Sequence, residues 1–394
     1  MGHPGTGHNS RGQGWQPAPA MDTELNFLTS LFSGNAQSAR GFEVSLRLLR
    51  RAGRPFLLLP SEPREAITTL ALYAPQTTRA QVARAVLRWP IRFSSPWPGQ
   101  TINFELLLDS PFVRFLSSLP GVAASEPPRF GILAGNPASP GQRFLLLCFN
   151  AEHQPVAVVK VALTRRGHDL IQHEQSLLSA IAGRRFKGVP AIIERFHSGE
   201  ISAFAMHFFP GNSPRNFPQE QLPSLLNSWV DNRRTVLLSE MPNWLELQQA
   251  CAVRPAFQAL AQRIATQQVH PCLEHGDLTP WNIKISPEGI CTVLDWERGE
   301  LTGIPGWDWF HHVIQTAILV KRQPTSALAK QAEALLAADR FKSYAARCRF
   351  AGFERELLLS YLLHVVEVIK PSEGRIETGE LLTTLARRWQ IGIA

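Results

Sequence analysis

Apolar residues fall into short blocks over residues 129–209, each bounded by turn-forming residues. Segments 129–135, 142–149, 156–162, 189–195 and 202–209 are rich in Val, Ile, Leu and Phe and read as β-strands. Between the third and fourth, residues 173–181 carry apolar positions at helical spacing. Pro210-Gly211 then ends the strand pattern. Beyond it the period is helical, most clearly over 326–338 and 354–369. The pattern predicts an α+β chain in two lobes: a five-stranded antiparallel sheet over 128–210 with one inserted helix, and a mainly helical lobe over 211–394. Active sites commonly lie in the cleft between such lobes.

Upstream, residues 22–127 hold helix-like stretches (25–32 and 80–87) and a short apolar strand (55–60). They are expected to form an accessory domain or an extension of the sheet lobe. Arg47, Arg50, Arg51 and Arg54 cluster just before that strand. They read as a solvated helix end, where cations suit the dipole, or as a contact for phosphate, nucleic acid or an acidic membrane. Residues 1–21 are rich in Gly, Pro and polar residues and lack the apolar core of a signal peptide. A disordered leader is expected there, with Met21 as an alternative start.

One stretch of the helical half breaks its pattern: residues 274–297, EHGDLTPWNIKISPEGICTVLDWE. Residues 283–285 read as a strand, 286–289 as a tight turn and 290–294 as the returning strand. Asn282 therefore enters a hairpin that Asp295 leaves, so the two lie close in space. Asp277 precedes them on a loop. Moving a phosphoryl group from a nucleotide to a hydroxyl needs a carboxylate to accept the hydroxyl proton. It also needs hard oxygen ligands for Mg²⁺, few of them from protein and the rest from phosphate and water. Asp277 suits the first role, and Asn282 with Asp295 the second. Taken singly, each residue is equally a turn, a strand cap or a loop start. Their joint occurrence, in order, around one hairpin favours chemistry.

Lys160 interrupts the apolar run 156–162, where a buried face excludes an unpaired ammonium. Glu174 follows at the opening of the helical segment and is the candidate partner. A lysine on an edge strand snorkelling to water is the alternative. Gly135 and Gly141 bound a turn-rich loop whose backbone is able to approach phosphates, although no GxGxxG is present and a plain hairpin turn reads equally well.

These residues resemble those of the aminoglycoside phosphotransferase and choline kinase superfamily, the small-molecule relatives of protein kinases. The resemblance rests on Lys160, Glu174, the loop from His275 to Asn282, Asp295-Trp296-Glu297 and the later Pro305-Gly306-Trp307-Asp308, and covers residues 128–390. It implies a protein-kinase-like fold, ATP or GTP as donor and Mg²⁺ as cofactor. It further implies Asp277 as catalytic base, Asn282 and Asp295 as metal ligands, and Lys160 on phosphate with Glu174 holding it. Gly135 and Gly141 would flank the phosphate loop, and Asp308 would tie the helical lobe to the catalytic loop. Asp295 is followed by Trp-Glu rather than Phe-Gly, and no segment ending in Ala-Pro-Glu is present. Both departures favour a small acceptor over a protein. A nucleotide-binding scaffold without turnover is the alternative function.

Charge bears on the acceptor. Residues 211–270 hold four acids (Glu220, Asp231, Glu240, Glu246) against five arginines (Arg215, Arg233, Arg234, Arg254, Arg263). With a net charge of +8 and a pI near 9.6, this favours a neutral or anionic acceptor, such as a sugar, sugar phosphate or lipid-linked glycan precursor, over a polycation. Glu297 and Asp308 are the residues able to add a local negative face. The five cysteines lack metal-ligand spacing and read as reduced thiols of a cytoplasmic protein. No apolar run reaches membrane-spanning length, nothing clearly points to nucleic acid, and His311 and His312 read as helix packing.

Overall fold

The computed structural model describes residues 23–33, 40–73, 75, 78–92, 99–122, 127–135, 141–162, 164–184, 186–199, 201–214, 220–369 and 375–391. The leader expected to be disordered, loop residues 136–140 and Arg215 lie outside them.

The sheet has eight antiparallel strands rather than five: β1 (Gly41–Arg51), β2 (Arg54–Pro60), β3 (Gln100–Leu107), β4 (Arg129–Ala134), β5 (Arg143–Phe149), β6 (Pro155–Ala162), β7 (Ile192–Ser198) and β8 (Ile201–His207). Their order is β3-β1-β2-β4-β5-β6-β8-β7. The three extra strands come from the N-terminal region. In β1, Leu46 and Leu48 are buried and Arg47 between them faces the other way, the alternation of a half-buried strand. The arginine cluster is therefore no helix end: Arg47, Arg50 and Arg51 stand on β1, and Arg54 opens β2. β3 repeats the alternation with Phe104 and Leu106 inward.

Cross-strand register sets one face of this sheet towards the cleft. Leu57, Leu133, Leu145, Lys160 and Phe204 are successive partners across β2, β4, β5, β6 and β8, so their side chains share that face. The opposite face is covered by α1 (Thr23–Phe32) and by a later helix, α4 (Pro111–Ser117); Phe32 and Phe112 from these helices pack with Phe130 and Phe144 of the sheet. On the cleft face α2 (Pro63–Leu70) lies so close to β4 that a Cβ at Gly131 would run into Thr69. α3 (Thr78–Arg92) packs beside it through Leu87 and Ile91.

The inserted helix, α5, spans Arg165–Ala180 and starts eight residues before the apolar spacing begins. Its first two turns are mostly polar, so they leave no hydrophobic period. The Thr164 side chain caps it, accepting from the Gly167 N–H at 3.0 Å.

The second lobe is mainly helical: α6 (Gln221–Ser228), α7 (Pro242–Cys251), α8 (Pro255–Ile264), α9 (Trp307–Gln315), α10 (Thr325–Ala337), α11 (Asp339–Cys348), α12 (Glu354–His364) and α13 (Arg375–Arg388). One-turn π-helical segments continue α9 and α12. Short strand pairs lie among them: β9 (Val236–Leu237) with β10 (Gln268–Val269), β11 (Cys272–Glu274) with β14 (Glu300–Gly303), and the hairpin β12 (Ile283–Ile285) with β13 (Cys291–Val293). One core, including Trp229, Trp244, Trp296 and Trp307, runs through this lobe and reaches α5 and β8. Among the described residues no helix is long and apolar enough to cross a membrane, and all five cysteines are free thiols.

Candidate active site

Lys160 lies on an interior strand, between β5 and β8, and is 5% exposed. The edge-strand alternative is thereby removed. Its Nζ donates to both carboxylate oxygens of Glu174, at 2.7 and 2.8 Å, and to Asp295 Oδ1 at 2.9 Å. Glu174 Oε1 also accepts from the Trp296 main-chain N–H at 3.0 Å. A sheet lysine, a helix glutamate and the exit of the hairpin thus converge on one point.

Asp295 adopts φ +71, a left-handed conformation that aspartate tolerates better than most residues. It turns the chain immediately after β13, where Lys160 and Arg143 face it. Burial alone would push its carboxyl up, but those two cations outweigh burial and hold it far below the usual carboxylate range. Arg143 Nη1 stands 3.6 Å from Asp295 Oδ1 and is ion-paired with Glu297.

The loop ahead of the hairpin is held by its own backbone. Asp308, at the first turn of α9, accepts from the main-chain N–H groups of His275 (2.7 Å) and Gly276 (3.0 Å). Gly276 has φ +76, and a Cβ there would run into the Arg298 carbonyl oxygen; glycine is required by both conformation and space. His275 is fully buried. Its Nε2–H donates to the Leu294 carbonyl at 2.9 Å, so Nδ1 accepts from the Asp277 N–H at 3.2 Å. One imidazole thereby ties the loop to the end of the hairpin.

Asp277 is the partly exposed carboxylate of this loop. The Asn282 amide nitrogen donates to Asp277 Oδ2 at 3.1 Å and to the Asp277 carbonyl at 2.9 Å, which turns the Asn282 amide oxygen the other way. Asp277 Oδ1 accepts from His311 Nε2 at 2.9 Å. Asn282 and Asp295 supply one amide oxygen and one ionised carboxylate, the hard ligands that Mg²⁺ prefers. Among the described residues no group of three or more His, Cys, Asp or Glu could hold a metal ion. The pair fits a cation whose remaining ligands come from phosphate and water.

A family model described as the phosphotransferase enzyme family matches residues 151–350, just over half of the chain. The chain belongs to that family. By that family it is a phosphotransferase, and its fold is α+β. No curated protein matches it. Solved structures similar to it include the GDP complex of wild-type aminoglycoside 2'-phosphotransferase-IIIa (14% identity, 65% of this chain and 92% of that one, TM-score 0.36). Another is an aminoglycoside phosphotransferase from Streptomyces rimosus (12% identity, 60% and 91%, TM-score 0.36). A third is a putative fructosamine-3-kinase from Haemophilus somnus (15% identity, 64% and 91%, TM-score 0.35). The assignment rests on the family model.

Within this phosphotransferase, Lys160, Glu174 and Asp295 form one contact cluster and Asp277 and Asn282 another, and the open end of the β12–β13 hairpin brings the two together: Ile283 pairs with Val293, and the Leu294 N–H donates to the Asn282 carbonyl at 2.7 Å. Gly135 closes the β4–β5 turn through its N–H to the Arg143 carbonyl (2.8 Å), and a Cβ there would strike that oxygen. Close approach of that carbonyl is what calls for glycine at this position. Gly141 lies at the far end of the same loop, whose central residues fall outside the described ones.

Three neighbours of the site are not singled out by the sequence pattern. Arg143 reads as an ordinary strand residue, although its register two residues from Leu145, the Lys160 partner, places it on the cleft face. Glu274 is buried, accepts from Asn243 Nδ2 and the Ile304 N–H, both at 2.8 Å, and is pushed well above the usual range by burial and by Asp308. His311 does more than pack its helix, because it reaches Asp277. Its place three residues after Asp308 on α9, on the same helix face, was the available signal. Glu297 and Asp308 do not form an open negative face: the first is paired with Arg143 and the second is turned to main-chain N–H groups.

Proposed function

We propose that this phosphotransferase moves the γ-phosphoryl group of ATP or GTP to a hydroxyl of a small acceptor, in a Mg²⁺-dependent reaction with Asp277 as base. Lys160, held by Glu174, contacts the α- and β-phosphates, and the backbone around Gly135 and Gly141 approaches them from the sheet side. The Asn282 amide oxygen and the Asp295 carboxylate hold Mg²⁺, which when bound neutralises charge on the triphosphate. Asp277 accepts the hydroxyl proton as the acceptor oxygen bonds to the γ-phosphorus. The bond from that phosphorus to the β,γ-bridging oxygen breaks, the nucleoside diphosphate leaves, and the proton passes from Asp277 to solvent. The observation that carries this reading is Lys160 bonded at once to Glu174 and Asp295, because it joins the phosphate-binding wall to the metal-binding hairpin in one site.

The acceptor is neutral or anionic. Supporting this, two of the four acids over 211–270 are paired with arginines: Asp231 with Arg233 and Arg234, and Glu220 with Arg340. They do not combine into a trap for a polycation.

The test is a transfer screen with Mg²⁺ and ATP or GTP across aminoglycosides, choline-like amines, sugars and sugar phosphates. Turnover is expected with a sugar or sugar phosphate. Asp277→Asn is expected to abolish it while leaving nucleotide affinity nearly intact. Full activity in that variant would refute the base assignment, and a wild-type protein that binds no nucleotide would refute the whole reading.

A further inference from the structure

We propose that His311 is the positioning residue for the Asp277 carboxylate, and that Tyr361 fixes the imidazole that does so; this rests on the reading of Asp277 as base. Three side chains from three elements stand in a row. The Tyr361 hydroxyl on α12 is 3.2 Å from His311 Nδ1, and His311 Nε2 on α9 is 2.9 Å from Asp277 Oδ1. A carboxylate only accepts, so a proton sits on Nε2; in the neutral imidazole Nδ1 is then the acceptor for the Tyr361 O–H. Burial pushes the Tyr361 hydroxyl upward, which keeps it a donor. His311 and Tyr361 are 7% and 3% exposed and meet ring to edge, so neither ring is free to turn.

Asn282 grips the other oxygen of Asp277. Each carboxylate oxygen has two lone pairs, so one donor on each still leaves a lone pair for the acceptor's proton. Without His311 the partly exposed carboxylate is restrained on one side only. α9 then does two things with one face. Asp308 fixes the loop backbone, and His311, three residues on, fixes the side chain that the loop presents. Loss of such orientation costs about 10²-fold in rate for misplacements near 1 Å.

The proposal is tested on the full chain by hydrolysis of the Mg²⁺-bound nucleoside triphosphate, with water as the acceptor. His311→Phe and His311→Asn are expected to lower kcat about 10²-fold with the nucleotide KM unchanged. His311→Gln, whose amide nitrogen reaches the Nε2 position, is expected to restore most of it. Tyr361→Phe, nearly isosteric, is expected to lower kcat about tenfold. The idea is overturned if Gln is as impaired as Phe, or if KM rises with kcat intact. If Asp277→Asn keeps turnover, the base reading fails; if it is inactive while His311→Phe is not, only the positioning fails. A readout without turnover is the ¹⁵N spectrum of histidine-labelled protein. The signal lost in His311→Phe must show a proton on Nε2 that is perturbed in Asp277→Ala; a proton on Nδ1 alone overturns the proposal.

Discussion

Lys160 reaches both carboxylate oxygens of Glu174 from a strand in the middle of an eight-stranded sheet, and both residues are buried. A buried ion pair is weak evidence of stability, because desolvation offsets most of the attraction, but breaking one half of it is costly. Lys160→Met should therefore destabilise the fold by about 3–5 kcal/mol, since Glu174 is left as an unpaired buried charge. Adding Glu174→Gln keeps an acceptor for the Trp296 N–H and should restore most of the stability. Nucleotide affinity should not return with it. Denaturant unfolding and calorimetric titration with nucleotide measure the two separately. A double variant that binds nucleotide as wild type does would show that Lys160 serves the fold alone.

Two glycines of the catalytic segment separate conformational strain from crowding. Gly276 and Gly289 both have positive φ, +76 and +81, but a Cβ meets the Arg298 carbonyl oxygen at the first and nothing within 4 Å at the second. Gly289→Ala should cost about 1–2 kcal/mol and leave turnover intact. Gly276→Ala adds a backbone collision and shifts the N–H that Asp308 holds, so both stability and turnover should fall further. Equal effects of the two substitutions on turnover would contradict the proposed role of the loop.

His312 predicts a pH dependence of stability. Burial lowers its pKa from 6.5 to about 4, with the Leu278 backbone opposing and His311 and Lys321 adding to the fall. The folded state thus binds fewer protons than the unfolded state between these values. Its stability is complete above pH 6.5 and is lost as pH falls towards 4. At pH 5 the loss from this residue alone should be about 2 kcal/mol relative to pH 8. Denaturant midpoints at the two pH values should differ less in His312→Leu than in wild type. An unchanged difference would mean that His312 is protonated in the fold.

The catalytic segment was legible because its signals are local. The strands 283–285 and 291–293 follow from apolar runs around a Ser-Pro-Glu-Gly turn, and the hairpin then brings Asn282 and Asp295 near one another. Lys160 stood out because an ammonium in an apolar run demands a partner. The five strands of residues 129–207 emerged for the same reason, each having its own run and its own turns. β1 did not, since Glu43, Ser45 and Arg47 interleave with Phe42, Val44, Leu46 and Leu48, and the strand ends in Arg50-Arg51 rather than in an apolar run. The first two turns of α5 were hidden by their polar surface.

By itself the sequence determined the local elements and the kit of polar residues: period, turns and spacing are properties of neighbours along the chain. It also carried the family, through the spacing from His275 to Asp295 and the lysine and glutamate upstream. Tertiary structure alone decided that the sheet runs to eight strands, that Arg143 faces Asp295 and that Asp308 is turned to backbone N–H groups. It alone decided, too, that His311 lies against Asp277 and not merely among packing residues. Those contacts join residues far apart in the chain. Burial and register create them, and no local pattern records which distant partner satisfies a buried polar group.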